Sequence, residues 1–589
     1  MSWWMRGLVA VTMLAIVIVF WALGAGSRTD GPTSTTLGAA TTTTAGPSGT
    51  VNTTDPFPAT TLATVPVVAG QPGTFLVSDF GAAADGKNDD SPAFQAAVDA
   101  AAGEGGVVIV PSVGGRRAYV LNQTVAVPSG VSIIGASAGS GLDVGGPYPW
   151  PDTVINGAKI LARPSPVEQP LFRLAAGTTV RGLWITYDQQ PLPSDDELSD
   201  LDGDYQYLDF AEARTFFIDE HVAPTGPTFY VESGDQVTIE NIVADRYTSF
   251  LYMKEGGPLT VDSVALHGYG TGFTIENSDA VNVFTNIDFS PTVGPFVPGT
   301  GTGAQEWTWA FGAIASQPNN VGFHFGRADG FVLDNVAFSA GNTAVRLGAS
   351  FDFPIIDPLT QMFFTSASGQ GPWGQIDGLR IEEAAVGVHM VWPSPVAVQL
   401  SNISMIPGID DGAEFDAVSG SGDLGGVGRQ AFVLVEASYR ADNNGTPPQV
   451  PAILASNVAL AGSTTGGLFG DAAGNIDEVN GRVFLVNGDL GMEINGFSLG
   501  LPFAESLMIA AGDDADEVSI RIRGVLAAGL PEADKLVEAD GVSVLAGDIV
   551  VIQPPAPPPA PPTTVPPDTT TPPSTTAPPT TTPPSTTVP

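Results

Sequence analysis

The sequence predicts an all-β solenoid, a parallel β-helix with one short helix ahead of it, on three observations. A six-residue pattern, apolar–any–Asn/Gly/Ser–apolar–any–apolar, returns nine times between Val180 and Ala527. A helix-and-strand unit precedes the first return, over Phe75–Gly135. The composition suits short strands joined by many turns: 71 Gly and 51 Pro in 589 residues, with 14% charged.

In the leading unit, Phe75–Val77 reads as a short strand. Asp85-Gly86 is a turn pair, because Gly tolerates positive φ and Asp bonds its own backbone. Asp90 or Ser91 suits the helix N-cap, and Pro92 the first helical position, where no amide donor is needed. Ala93–Ala102 is then helical, with Phe94, Ala97, Val98 and Ala101 on one face. Gly103–Gly106 ends it. Val107–Val110 is an apolar strand stopped by Pro111, and Val131–Ile134 is another after Pro128-Ser129-Gly130.

The run DFGA…DG…NDD…AFQAAVDAA…GG.V..P…Y……P.GV.I.G in this segment resembles the N-terminal signature of the pectate-lyase-like superfamily, which includes rhamnogalacturonase-like and epimerase-like proteins and phage tailspikes. The resemblance implies a right-handed parallel β-helix with this helix as its N-terminal cap, and a glycan as partner. It assigns no active site, since nothing in these residues need touch substrate.

From Val180 the pattern recurs as VRGLWI, IENIVA, VDSVAL, LDNVAF, IDGLRI, LSNISM, ASNVAL, INGFSL and IRGVLA. Such coils lay each strand over the one below at about 4.8 Å. A central Asn or Gly suits a left-handed residue that turns the chain between strands, so Asn241, Asn335, Asn402 and Asn457 are expected to stack as a ladder. Ile239 and Val261 lie 22 residues apart, and VFTNIDF from Val283 continues that step with one residue added. Extra residues between Ile185 and Val237, Phe289 and Gly322, Leu347 and Trp373, and Ile406 and Ala431 read as side loops on one flank.

Four regions follow: residues 1–26, 27–72, 73–552 (the β-helix) and 553–589. Met1–Gly26 carries one Arg and then a run of roughly 20 uncharged, mostly apolar residues, the length that spans a bilayer. It reads as a retained signal anchor with its amino terminus inside. Leu23-Gly24-Ala25-Gly26 also fits a cleaved signal peptide. Either way the domain is expected to be extracytoplasmic. Residues 27–72, rich in Thr, Ser and Pro, and the Pro/Thr tail 553–589 read as disordered spacers. The net charge of −41 argues against nucleic acid as a partner, because phosphate contacts need basic surface. The absence of Cys excludes a disulfide framework and thiolate metal sites.

Residues that follow each repeat are expected to stack along one edge. With a 22-residue step, Asp245 and His267 become neighbours, flanked by Arg246, Tyr247 and Tyr269. Acid, cation and imidazole are the groups that proton abstraction or glycoside cleavage needs. Asp245, Arg246 and His267 are therefore the candidate catalytic residues; an ordinary polar rim is the alternative. Tyr247, Tyr269, Trp307 and Trp309 are candidate substrate-binding residues, since aromatic faces stack on sugar rings; the two Trp equally fit a half-buried strand. Asp200, Asp202 and Asp204 alternate as in calcium loops, with Asp209 beyond, though Tyr205 stands where an EF-type loop has Gly. Calcium is the expected cofactor there, and a solvated acidic loop is the other reading. The polygalacturonase-type motifs of this fold are not matched: Asn342-Thr343 is followed by Ala344, and His267 sits in Leu-His-Gly. The expected function is that of a polysaccharide lyase or hydrolase acting on an acidic or cell-envelope glycan, or else a non-catalytic glycan-binding module.

Overall fold

The computed structural model describes residues 73–552 apart from 115–116, 136–156, 167, 189–221, 290–319, 340, 352, 367–370, 385, 393–395, 408–430, 437–451, 461–481, 488–489, 500–508, 512–517 and 529–541. The apolar segment 1–26, the spacers 27–72 and 553–589, the acidic loop Asp200, Asp202, Asp204 and Asp209, and Trp307 and Trp309 lie outside the described residues. No helix among the described residues is long and apolar enough to cross a membrane.

The fold is a stack of parallel strands in two long sheets. The chain alternates between them, so each sheet joins strands from successive coils. The first sheet contains Val180, Ile239, Val261, Leu333, Ile376, Leu400, Ala455 and Ile494, all in register from coil to coil. The second sheet stacks Phe172, Phe229, Leu251, Phe273, Phe323, Val345 and Val388. The three apolar positions of the repeat point inward: Val180, Leu183 and Ile185 are buried, as are Ile239, Ile242 and Ala244. Aromatic rings stack along this core, with Phe273 on Phe323 at 5.0 Å.

The central residue of each repeat is left-handed: Asn241 has φ 52°, Ser263 57°, Asn286 55° and Asn335 55°. The ladder forms, with substitutions. Asn335 donates to Asn286 (2.7 Å) and Asn457 to Asn402 (2.7 Å). Where the preceding coil has Ser263 or Gly378 in place of Asn, the Asp before it supplies the acceptor: Asn286 donates to Asp262 at 2.8 Å and Asn402 to Asp377 at 2.6 Å.

The cap departs from expectation in detail. The first strand is Thr74–Leu76, followed by a 3-10 turn at Val77–Phe80, and the helix is Ser91–Ala102. Asp90 holds the N-cap position without a side-chain cap bond. Its carboxylate instead accepts from the amides of Ala83 (2.6 Å) and Val120 (3.1 Å), tying helix, loop and first coil together. The expected turn at Asp85 is present: it accepts from the amides of Lys87 (2.8 Å) and Asn88 (2.9 Å). The expectation that all inserted loops leave from one flank is corrected. The insertion after Leu347 leaves the end of a second-sheet strand, whereas the one after Phe289 leaves the end of a first-sheet strand. A coil that alternates between two sheets offers both corners.

Candidate functional site

The first-sheet strands Thr179–Thr186, Val237–Asp245 and Leu259–His267 each end one residue past their last inward apolar position. Thr186, Asp245 and His267 occupy that place in register. The sequence-derived juxtaposition is present: His267 Nδ1 lies 3.6 Å from Asp245 Oδ1, with Asp245 fully buried and His267 nearly so. The one-residue-longer step at Asn282–Phe289 brings a further acid beside them. Asp288 is in register with Ala265, two residues before His267 on the same face. Burial raises its pKa, opposed by His267 and then Arg380 and reinforced by Glu382. Arg380 stands in the same column and Glu382 in the next, with Arg380 Nε 3.3 Å from Glu382 Oε1.

The floor between these groups is small: Val243, Ala265 and Ala337. Toward the amino end the same face carries Trp184, in register with Val243, and the buried Lys159, whose pKa burial lowers. The strip therefore joins an imidazole held by a carboxylate, a second carboxyl biased toward its protonated form, and a guanidinium. That is a general acid–base set.

Tyr247 and Tyr269 are placed differently from expectation. Arg246 is left-handed at φ 59° and donates its amide to the His267 carbonyl at 2.7 Å, so it opens the turn. Its charge acts on the Tyr269 phenol, where burial and Asp245 raise the pKa and Arg246 opposes them. Tyr247 and Tyr269, proposed as sugar-stacking rings, are both buried, and the Tyr247 ring lies 5.7 Å from that of Phe250. For Tyr247 the left-handed Arg246 just before it turns the ring into the main core. Asp288, Arg380 and Lys159 were missed, although the longer step at Val283 was a readable signal for Asp288.

A second polar column lines the outer face of the second sheet: Arg173, Tyr230, Tyr252, Thr274, His324, Arg346 and His389. Tyr252 donates to Glu276, Lys254 reaches Asp357 at 2.9 Å, and Arg346 Nε lies 3.2 Å from His389 Nδ1. Burial, with Arg346 adjoining, pushes His324 down to about 3, and its Nε2 donates to the Gly348 carbonyl at 3.0 Å. Among the described residues no group of three or more His, Asp or Glu is arranged to hold a metal ion.

Residues 75–164 match the family model described as Rhamnogalacturonase A/epimerase, pectate lyase-like, which agrees with the resemblance carried by the same segment. No curated protein matches the chain. Among solved structures, PfbA, a surface adhesin of Streptococcus pneumoniae, is similar at 12% identity and TM-score 0.40, covering 82% of this chain and 93% of that one. The Azotobacter vinelandii mannuronan C-5 epimerase AlgE6 A-module is similar at 13% identity and TM-score 0.40, covering 78% and 100%. The endo-xylogalacturonan hydrolase from Aspergillus tubingensis is similar at 12% identity and TM-score 0.34, covering 80% and 100%.

Proposed function

We propose that the protein is an exported, polysaccharide-active enzyme that cleaves an acidic glycan by acid–base chemistry on the strip Asp245–His267–Asp288. The observation that carries this reading is the Asp245–His267 pair at 3.6 Å beside a carboxyl whose pKa burial has raised. Asp245 orients the imidazole and stabilises its charged form. In hydrolysis, Asp288 gives its proton to the glycosidic oxygen as the bond to the anomeric carbon breaks. Water then adds to that carbon and passes its proton to His267. In elimination, His267 takes the proton next to a uronate carboxyl, a double bond forms, and Asp288 protonates the departing oxygen. Arg246 and Arg380 offer cations for a uronate. Residues 1–26 anchor the chain at a membrane, 27–72 and 553–589 act as spacers, and the loop with Asp200, Asp202, Asp204 and Asp209 binds calcium.

A non-catalytic glycan-binding module is the second reading, favoured by the closure of the strip, where Asp245 is 0% and His267 6% exposed. Incubation of the purified protein with a polysaccharide panel separates the readings. New reducing ends, with or without ultraviolet-absorbing unsaturated products, support cleavage. Binding without product supports the module. Neither binding nor product on uronate-containing and neutral glycans overturns both.

A further inference from the structure

The insertion after the second-sheet strand Thr343–Leu347 carries a small hairpin, Ile355–Ile356 paired antiparallel with Phe363–Phe364. It folds back over the outer face of that sheet. We infer that residues 353–366 form a lid, hinged at its base, which swings off this face when the contact between Asp357 and Lys254 at its tip is released.

The two ends of the hairpin are held differently. At the base, the Ser366 amide donates to the Ala349 carbonyl (2.8 Å), the Ala349 amide to Ser366 Oγ (2.9 Å), and Ser366 Oγ to the Gly326 carbonyl (2.7 Å). At the tip, Asp357 accepts from Lys254 Nζ at 2.9 Å and from the Tyr230 hydroxyl at a longer 3.4 Å. Every other bond of the Asp357 carboxylate stays within the hairpin, from the amide of Leu359 (2.9 Å) and the hydroxyl of Thr360 (2.8 Å). The tip turn is thus self-supporting and can leave the sheet intact. Lys254 keeps 30% of its side chain exposed while Asp357 keeps 1%, so water reaches the contact from the Lys254 side. From Gly326 to Tyr230 the hairpin crosses three coil spacings, about 14 Å, on a ladder of two residues per strand, which is marginal alone.

What lies beneath points the same way. Ile355, Leu359 and Phe364 pack on Tyr230 and Tyr252 in a cluster separate from the main core. Beside those rings stands Glu276, bonded to the Tyr252 hydroxyl. Burial raises the pKa of Glu276, so closing the lid disfavours its charged form. A face meant to be covered permanently is better served by apolar side chains at these positions. The polar column suits a surface that is wetted or occupied when the lid is open.

Tyrosine nitration of the full chain, read by mass spectrometry, tests this. Tyr230 and Tyr252 lie under the lid, and the core residue Tyr247 is the internal control. In the wild type, Tyr230 and Tyr252 should be nitrated while Tyr247 is not, at a rate unchanged by urea below the unfolding transition. Lys254→Ala should raise that rate on the order of tenfold, as expected for a weakened local opening, and Lys254→Arg should restore it. Nitration of Tyr230 and Tyr252 only in step with Tyr247, or no change in a folded Lys254→Ala variant, overturns the proposal. If that variant does not fold, the wild-type comparison against Tyr247 decides alone.

Discussion

Asp262 accepts the side-chain amide of Asn286, one coil further along the solenoid, at 2.8 Å. The same carboxylate takes the Thr285 hydroxyl at 2.6 Å and the Ser263 hydroxyl at 3.1 Å. It thus replaces the Asn amide that the ladder lacks at Ser263, and it serves three donors at a corner where the backbone is left-handed. Asp262→Ala should lower stability by about 1–3 kcal/mol, the cost of leaving partly buried polar groups unpaired. Asp262→Asn, which keeps one acceptor oxygen, should lose less. Urea midpoints of the two variants check this; equal loss would mean that the charge, not the acceptor, matters.

The ladder also marks how far the sequence can be read. The repeat exposed its inward positions and its left-handed centre, because both follow from local chemistry: apolar periodicity and the tolerance of Asn and Gly for positive φ. It also placed Asp245 beside His267, because a constant step turns spacing into register. The Asp at 262 and 377 was not legible as a ladder member, since its role exists only where the previous centre is not Asn. Tyr247 was read as a surface ring because the turn made by the left-handed Arg246 before it is invisible in spacing. Lys254, Glu276 and Asp357 come from strands outside the repeat and from a hairpin about a hundred residues away, so no local pattern links them.

Gly268 is fixed by the Tyr247 ring. A Cβ at Gly268 would lie 2.4, 2.5 and 2.6 Å from three atoms of that ring, which is itself buried. Gly268→Ala should therefore cost about 1–3 kcal/mol as overpacking. Removing the ring relieves the clash, so Gly268→Ala combined with Tyr247→Ala should be no worse than Tyr247→Ala alone. Thermal unfolding of the three variants measures this coupling, and simple additivity would count against the contact as the reason for the glycine.

His324 gives the fold a sensitivity to acid. Its imidazole titrates near 6.5 when unfolded and near 3 when folded, because burial, and then Arg346, disfavour the charged ring. Between those values the unfolded chain binds the extra proton, so stability falls as pH drops from about 6.5 toward 3. His324→Gln keeps an N–H for the Gly348 carbonyl and removes the titration. It should flatten that part of the stability profile and leave the neutral region nearly unchanged. Urea unfolding of both proteins at pH 7, 5 and 4 checks it; parallel profiles would place the acid sensitivity elsewhere.

Asp288 should trade stability for activity. Its folded pKa is raised from the ordinary 3.8, chiefly by burial. A carboxyl raised in this way favours the fold while it is protonated, below its unfolded value, and that contribution is lost as pH rises through the folded value. Above that window the native state carries a half-buried carboxylate beside His267 and Arg380. Asp288→Asn removes the charge and keeps the shape. The variant should match the wild type at pH 3 and be more stable at pH 7. If Asp288 is the proton donor of the proposed cleavage, the same variant should lose activity by about 10²–10⁴-fold, with substrate binding retained. His267→Gln should lose activity comparably without the neutral-pH stabilisation, because it leaves the Asp288 carboxylate in place. Unfolding curves and product assays on the same preparations test both halves. A more stable Asp288→Asn that keeps full activity would place Asp288 outside the chemistry, as a half-buried acid whose only effect is on the fold.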